Sequence, residues 1–292
     1  MSSLPFLGSG MGYRRELAAQ QLAAADRIDV LEILVDHFLS ESSMDELERV
    51  SQRFPLVLHG VGLSIGSVPL DRGYLRAVRR VSDVSRAPYY SEHLAVTRVP
   101  GIDLGHLTPV WFTRETLRRV IDNVHRVQET LGKPVVLENI ATLLEIPGAQ
   151  LGQPEFFREL VEATGCGVLL DVENLHLNAE NHHFDPEAFL AEMPLESVVQ
   201  IHTAGHVAVP GGTAEIASAK SSATGGQAVD GLSLDRHCAP VPEPVWALLD
   251  RVLERAPVKA IVLERDVDFP EDFEELLADV ERARQSLAAT HA

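Results

Sequence analysis

Eight short apolar segments separated by amphipathic segments predict an α/β fold, a single (β/α)8 TIM barrel that spans residues 1–292. Most of the apolar segments are hydrophobic at successive positions, as expected for parallel strands that are buried on both faces. A chain of 292 residues, 45% of them hydrophobic, can fill the core of such a barrel. In chain order, the predicted strands are residues 5–10, 30–35, 55–60, 89–94, 134–139, 167–174, 198–205 and 259–266.

The first predicted strand is crowded by glycines, at Gly8, Gly10 and Gly12. The segment GSGMG could suggest a dinucleotide-binding loop, but Tyr13 stands where that fingerprint requires its third glycine. The glycines therefore indicate a close approach of the backbone to a ligand or to a neighbouring strand.

The segments between the predicted strands have the periodicity and the start signals of helices. Apolar positions at helical spacing alternate with many charged residues in these segments. Ser43, Thr113 and Asp185 precede three of them and are residue types that favour the first position of a helix. Four of the predicted helical segments are residues 14–26, 43–54, 113–132 and 270–289.

A long segment, residues 207–231, follows the seventh predicted strand and is small, polar and glycine-rich. Long loops in compact domains often carry function, so this segment predicts a flexible loop that covers a site after strand seven.

The overall charge and the cysteine content restrict the class of protein. A formal net charge of −18 opposes non-specific binding to nucleic acid and to anionic membranes. Cys166 and Cys238 form no disulfide framework and no CxxC motif, which favours a reducing cytoplasm. We find neither a signal peptide at the start of the sequence nor an apolar run long enough to span a membrane.

Imidazoles and carboxylates stand at the C-terminal ends of the predicted strands, where the active sites of (β/α)8 barrels are built. A charged side chain at the end of an apolar strand costs several kcal/mol when it is buried without a partner. Multivalent cations are the simplest common partner for so many converging groups. The residues at or just after the strand ends are His59, Glu92, His93, Glu138, Asn139, Asp171, Asn174, His202, His206, Glu264 and Asp266, and the segment that returns to the last strand adds Asp235 and His237.

The types of ligand restrict the metal. Nitrogen and oxygen donors without an evident thiolate suit iron, zinc or manganese better than copper(I). Open catalytic sites use about three protein ligands for each ion, so the set provides for two or three ions with a bridging carboxylate.

Some of these polar residues have a plainer interpretation. His125 and His291 are expected to be hydrogen-bonded core or surface residues that bind no metal, and His176, His182 and His183 fall in a polar segment that is typical of a solvated loop. Glu92 could orient a histidine instead of binding a metal, because metal-bound imidazoles usually need a carboxylate or carbonyl partner. Cys238, beside His237, is interpreted as a buried thiol that takes no part.

At these residues the sequence resembles the multinuclear non-heme iron-dependent oxidative enzymes, (β/α)8 proteins that modify ribosomally made peptides. Members of this family act in methanobactin and 3-thiaglutamate biosynthesis. The sequence departs from the family pattern at Asp36-His37, where Glu-Asn is more frequent, and in the length of the segment 207–231. The matching segments are GSGMGYR, LEILVDHF, LHGVGLSIGS, SEHLA, VVLENIAT, LLDVENLHLNAENH, QIHTAGH, LDRHCAPVPEPVW and VLERD.

The resemblance implies two or three iron ions at the barrel mouth and dioxygen as co-substrate. His202, Glu138 and Asp171 are then the central catalytic positions. Asn139, Asn174, Glu92 and His206 are further ligands or residues that support the ligands. The metal ligands that the resemblance implies are His59, His93, Glu138, Asp171, His202, Asp235, His237 and Glu264.

The same resemblance implies a substrate and a partner. The substrate is a ribosomally synthesised precursor peptide in which one residue, most often a cysteine, undergoes a four-electron or related oxidation. A small partner protein that recognises the leader of the peptide is expected, because a chain of barrel length has no spare domain for that task.

Two other classes of function remain open from the residues alone. One is another (β/α)8 metalloenzyme, such as a zinc-dependent abasic-site endonuclease or a sugar isomerase, whose ligands are of the same kind. The other is a non-catalytic metal-binding protein.

Overall fold

The structure, a computed structural model, describes residues 4–206 and 236–290 and contains a closed barrel of eight parallel strands. A two-stranded antiparallel hairpin lies outside the barrel. The strands are β1 (Gly8–Gly12), β2 (Val30–Leu34), β3 (Leu56–Gly60), β4 (Tyr90–His93), β5 (Ala95–Val99), β6 (Ile102–Pro109), β7 (Val135–Glu138), β8 (Gly167–Asp171), β9 (Val198–Thr203) and β10 (Ala260–Leu263). Around the barrel the order is β1-β10-β9-β8-β7-β4-β3-β2, so the predicted (β/α)8 architecture is confirmed.

Helices follow most barrel strands and cover the outside of the barrel. Thr113 caps the fourth helix by accepting a hydrogen bond from the Thr116 amide at 3.1 Å, and Asp185 caps the seventh through the Glu187 amide at 3.0 Å. The helices are α1 (Ala18–Ala23), α2 (Met44–Ser51), α3 (Arg72–Ser85), α4 (Arg114–Leu131), α5 (Gln153–Thr164), α6 (Val172–His182), α7 (Pro186–Glu192), α8 (Glu243–Leu253) and α9 (Glu274–Ala289).

Three local predictions differ from the structure. Ser43 precedes the helix α2 as predicted, but its hydroxyl donates to the Ser40 carbonyl within a 3-10 turn and does not cap the helix. The solvated loop predicted around His176 and His182 is instead the helix α6, which starts as soon as β8 ends. The hairpin of β5 and β6 was not predicted at all. The predicted loop at residues 207–231 lies outside the described residues.

One hydrophobic cluster covers the outer surface of the barrel, and a second one lies in its interior. The larger cluster packs the outer faces of the strands against the helices. The smaller cluster lies inside the barrel and takes one residue from nearly every strand near its N-terminal end. Its members are Leu4, Val30, Val57, Tyr89, Val136, Leu169, Val199 and Val262. No helix within the described ranges is long and apolar enough to cross a membrane.

Candidate metal centre

A second interior layer lies directly above the apolar one and is entirely polar. Side chains of a strand alternate between its faces, so the residue two positions after each inward apolar residue also points inward. These second residues, and His202 three positions after Val199, form the polar layer: Glu32, His59, Ser91, Glu138, Asp171, His202 and Glu264. All of them are buried. The barrel thus concentrates imidazoles and carboxylates toward the C-terminal ends of its strands, where (β/α)8 enzymes place their chemistry.

The strand β9 reaches this layer through a bulge. Val168 pairs with Val198 but Leu169 pairs with Gln200, so Val199 is an extra residue. Because a bulge shifts the alternation by one position, Val199 can join the apolar interior while Gln200 and His202 also face inward. This local irregularity explains why an apolar run ends in a buried histidine.

Hydrogen bonds assign the tautomers of His59 and His93. The Ser91 hydroxyl donates to the Leu58 carbonyl at 3.0 Å, so it accepts from Nδ1–H of His59 at 2.9 Å. Nδ1 of His93 donates to the Gly60 carbonyl at 3.0 Å. With Nδ1 donating in both rings, the lone pair of each neutral imidazole is on Nε2. Burial lowers the pKa of His59 well below its ordinary value, which favours the neutral form.

These two lone pairs meet a carboxylate oxygen. The Nε2 atoms of His59 and His93 are 3.4 Å apart, and each is 3.2 Å from Oε2 of Glu138. That oxygen has no hydrogen-bond partner among the residues that the structure describes. Three electron-pair donors this close repel one another unless a cation lies between them. Donor atoms about 2.1 Å from one ion are roughly 3.0–3.4 Å apart, so their spacing fits a transition-metal ion.

Glu138 connects this group to a second one. Its other oxygen, Oε1, lies 3.0 Å from Nδ1 of His202, and the same nitrogen lies 3.1 Å from Oε2 of Glu264. Ligand atoms of Glu138, Asp171, His202 and Glu264 all lie within 4.8 Å of one another. Burial alone would lower the pKa of His202, but Glu264, Glu32 and Glu138 raise it well above its ordinary value. The negative charge of this group therefore favours a cation.

Asp171, Asn139 and Asn174 support one another at the top of β7 and β8. The side chain of Asn139 donates to the Asp171 carbonyl and accepts from the Asp171 amide, both at 2.9 Å. Oδ1 of Asp171 accepts from the Asn174 amide at 2.7 Å and so caps α6. Asn139 is thus occupied in holding the backbone. Oδ1 of Asn174 accepts no hydrogen bond within the described part of the chain and can serve as a ligand.

His237 and His206 lie farther out along the same mouth. Nδ1 of His237 is 3.1 Å from Asp266, whose other oxygen accepts from Nε of Arg14 at 3.1 Å. Buried Glu173 lies between the two histidines, 3.5 Å from Nε2 of His237 and 3.0 Å from Nδ1 of His206. The predicted ligand Asp235 falls outside the described residues.

Sequence reasoning missed Glu32, which contacts a predicted ligand directly. Oε2 of Glu32 lies 2.9 Å from Nε2 of His202, and it accepts a hydrogen bond from Nε2 of the Gln200 side chain at 2.6 Å. Tyr89 in turn donates to Gln200 at 2.6 Å. Glu32 follows the inward residue Val30 by two positions, the offset that Glu138 has from Val136, and that offset is the signal that could have identified it.

Glu92 lies on the opposite face of β4 from His93. Its carboxyl accepts a hydrogen bond from the Tyr90 hydroxyl, and burial raises its pKa to about 8. None of the three groups of candidate ligands in the described residues includes Glu92. The structure therefore gives Glu92 a place between the barrel and α3, away from the polar layer.

Comparisons with solved structures agree with the barrel. The chain is similar to D-psicose 3-epimerase in the presence of D-fructose, with a TM-score of 0.57, 14% identity and coverage of 97% of this chain and 98% of that chain. It is also similar to a xylose isomerase domain protein from Planctomyces limnophilus, with a TM-score of 0.55, 14% identity and 98% coverage of both chains. At such low identity these likenesses show the fold alone.

Comparisons of sequence are more specific. A UPF0276 protein of Rhizorhabdus wittichii is 35% identical over 260 residues, which cover 88% of this chain and 86% of that protein. A UPF0276 protein of Caulobacter vibrioides is 33% identical over 299 residues, covering 99% and 97%. A family profile described as RiPP precursor modification enzyme MbnB/TglH/ChrH matches residues 8–288. Since that match runs from the first barrel strand to the last helix, the chain belongs to the MbnB/TglH/ChrH family of RiPP precursor modification enzymes.

Proposed function

We propose that the polar layer binds two or three iron ions and that the chain uses them, with dioxygen, to oxidise one residue of a ribosomally made precursor peptide. Membership of the family makes the chain an enzyme that acts on such a peptide. The observation that carries the metal part of the proposal is the meeting of His59, His93 and Glu138, whose donor atoms lie 3.2–3.4 Å apart.

The proposed ligands fall into three groups along the mouth. His59, His93 and Glu138, whose donor atoms are in contact, form the first. Glu138, Asp171, His202 and Glu264 form the second, so Glu138 is the proposed bridge. His237 and Asn174 would serve the third position together with Asp235, which lies outside the described residues. Iron bound there would supply the activation of dioxygen and of the substrate.

The protein's own contribution is to fix the protonation and orientation of the ligands. The Ser91 hydroxyl accepts from Nδ1–H of His59, and the Gly60 carbonyl accepts from Nδ1–H of His93. These two hydrogen bonds keep both Nε2 lone pairs directed at one point. Glu32 contacts Nε2 of His202 and leaves its Nδ1 facing Glu138 and Glu264. Such partners orient ligands and raise their basicity.

For the substrate we propose a cysteine of the precursor peptide, presented with the help of a small leader-recognising partner protein. A metal deprotonates a coordinated thiol, so a cysteine side chain suits a multinuclear site. In a four-electron oxidation the peptide loses four electrons and four protons, and one dioxygen takes them up to leave as two waters.

The test uses the iron-loaded chain with reductant, dioxygen, the partner and the peptide. We expect a mass loss in the peptide that requires both iron and dioxygen. His202→Ala should remain folded, since its neighbours are polar and can admit water, but should lose the activity. A mass change without iron or without dioxygen, or full activity of His202→Ala, would refute the proposal.

The same preparation also discriminates among the other classes. Interconversion of a ketose and an aldose with manganese, or cleavage of abasic DNA with zinc, would replace the proposed reaction. Absence of dioxygen consumption with every peptide, partner included, would favour a non-catalytic metal-binding protein.

A further inference from the structure

Three polar side chains outside the polar layer converge at the rim of the barrel mouth. His176 and Glu180 lie one turn apart on α6, and His206 follows β9 by three residues. Nε2 of His176 is 3.4 Å from Oε1 of Glu180, and the rings of His176 and His206 are 5.8 Å apart. One ligand atom from each side chain lies within 4.8 Å of the others. We call these three residues the outer triad.

A buried carboxylate orients one member of the outer triad. Nδ1 of His206 lies 3.0 Å from Oε1 of Glu173, whose side chain is fully buried. Because a carboxylate accepts hydrogen bonds, His206 donates from Nδ1 and carries its lone pair on Nε2. This is the arrangement of carboxylate, histidine and metal that is usual around bound transition metals. The second observation thus points independently to a ligand at His206.

The spacing of the other two members also suits a metal. Side chains four residues apart on a helix share one face, so His176 and Glu180 can bind one ion together. The side chain of Glu180 is 48% exposed, whereas those of His176 and His206 are 16% and 9% exposed. The exposed carboxylate can therefore move by about 1 Å to close the group, since bound donors are roughly 3.0–3.4 Å apart.

We propose that His176, Glu180 and His206 form a separate mononuclear site for a divalent transition-metal ion at the rim of the mouth. Two imidazoles and one carboxylate suit Zn²⁺, Fe²⁺, Co²⁺ or Ni²⁺ and leave coordination positions open to water or to a substrate group. The site is distinct from the polar layer and shares no ligand with it.

Glu173 connects the two sites. One of its oxygens contacts His206 and the other lies 3.5 Å from Nε2 of His237. An ion bound to the outer triad would influence the orientation of His237 through the carboxylate of Glu173, because the two sites share no ligand. The rim ion would therefore lie one carboxylate away from the proposed inner ligand His237.

The experiment compares the total metal content of variants of the full chain. The protein as purified is saturated with Zn²⁺, desalted and analysed for all metals. We expect the double variant His176→Ala/Glu180→Gln to hold one ion fewer per chain than the wild type. His93→Ala removes a proposed ligand of the polar layer but should still bind the rim ion. The result at the outer triad can therefore be read even if the polar layer binds no iron.

Matched controls exclude adventitious binding to an acidic surface. His125→Ala on α4 and Glu192→Gln on α7 replace an imidazole and a carboxylate at exposed positions outside the outer triad, and they should retain the full metal content. Calorimetric titration with Zn²⁺ should show the corresponding binding step in the wild type and the controls, and a loss of at least about tenfold in affinity in the double variant. Equal metal content and equal affinity in the double variant and the wild type would overturn the proposal.

Discussion

Glu138 is the residue at which the two halves of the polar layer meet. Oε2 faces His59 and His93, whereas Oε1 faces His202. Replacing Glu138 by alanine should therefore release more than one ion, because each half loses a ligand. Asp171→Ala should act in the same direction and should also weaken α6, since Asp171 caps that helix.

The control for this prediction is His93→Ala, which removes a ligand from one half only and should release one ion. Element analysis of the purified variants gives the count, and circular dichroism shows whether they are folded. One ion per chain in the wild type, unaffected by Glu138→Ala and Asp171→Ala, would contradict a bridged centre.

The buried carboxyl group of Glu92 should make the free energy of unfolding depend on pH. Burial raises its pKa from 4.5 to about 8, so the folded state holds a proton that the unfolded state loses. The stability that this proton contributes is present below pH 4.5 and is lost as the pH rises to about 8. Compared with Glu92→Gln, the wild type should lose on the order of 3–4 kcal/mol across this window.

Urea unfolding of both proteins in the same metal state, at several pH values from 4.5 to 9, measures this difference. Glu162→Gln, at an exposed position on α5, is the control and should follow the wild type at every pH. A constant difference between the wild type and Glu92→Gln over the whole range would show that burial does not raise the pKa of Glu92.

At the scale of the elements, most barrel strands could be predicted because they are apolar runs that end in a polar group, whereas β1 is rich in glycine. The hairpin of β5 and β6 could not, since most of its residues are exposed or only partly buried and contain no continuous apolar run. α6 was interpreted as a loop because its polar residues hid its buried face at Leu175 and Leu177. Local propensity is weak where tertiary contacts decide the structure.

The site was predictable to the extent that its residues stand at strand ends. Glu138, Asp171 and Glu264 stand there and could be identified as candidates. Glu32 lies in the middle of the run VLEILV, so only the inward offset from Val30 distinguishes it. Contacts such as that of Glu173 with His206 depend on how α6 packs beside β9, which periodicity does not specify.

A network between β2 and β9 leads to a prediction about metal affinity. Glu32 from β2 contacts both Gln200 and His202 from β9. Glu32→Gln should keep the fold but weaken binding at the His202 half of the layer by roughly 10–100-fold, because His202 loses the charged partner that orients it. Competition with a chelator measures this affinity.

Tyr89→Phe provides the matched control for the network, since the Tyr89 hydroxyl contacts Gln200 and not the histidine. It should change the affinity much less than Glu32→Gln does. Equal effects of the two substitutions would mean that the network acts through packing and not through the charge on Glu32.

At the scale of the whole molecule, closure of the barrel brings several acidic side chains close together in the polar layer. Glu32, Glu138, Asp171 and Glu264 are buried carboxylates that come from four different strands. In the absence of cations their mutual repulsion and their loss of hydration oppose closure of the barrel. The metal ions are therefore expected to stabilise the fold as well as to perform the chemistry.

Removal of the metals should consequently lower the thermal midpoint of unfolding. A ligand that binds only the folded state stabilises it by about 4 kcal/mol when its concentration is a thousand times its dissociation constant. For a chain of this size, that corresponds to a decrease of roughly 10 °C on chelation. Calorimetry of the metal-loaded and the chelated protein measures the change, and readdition of iron should restore it. Because Glu138→Ala already lacks the bridging carboxylate, its midpoint should respond much less to the chelator. If chelation lowered both midpoints equally, the stabilisation would have to come from ions bound outside the polar layer.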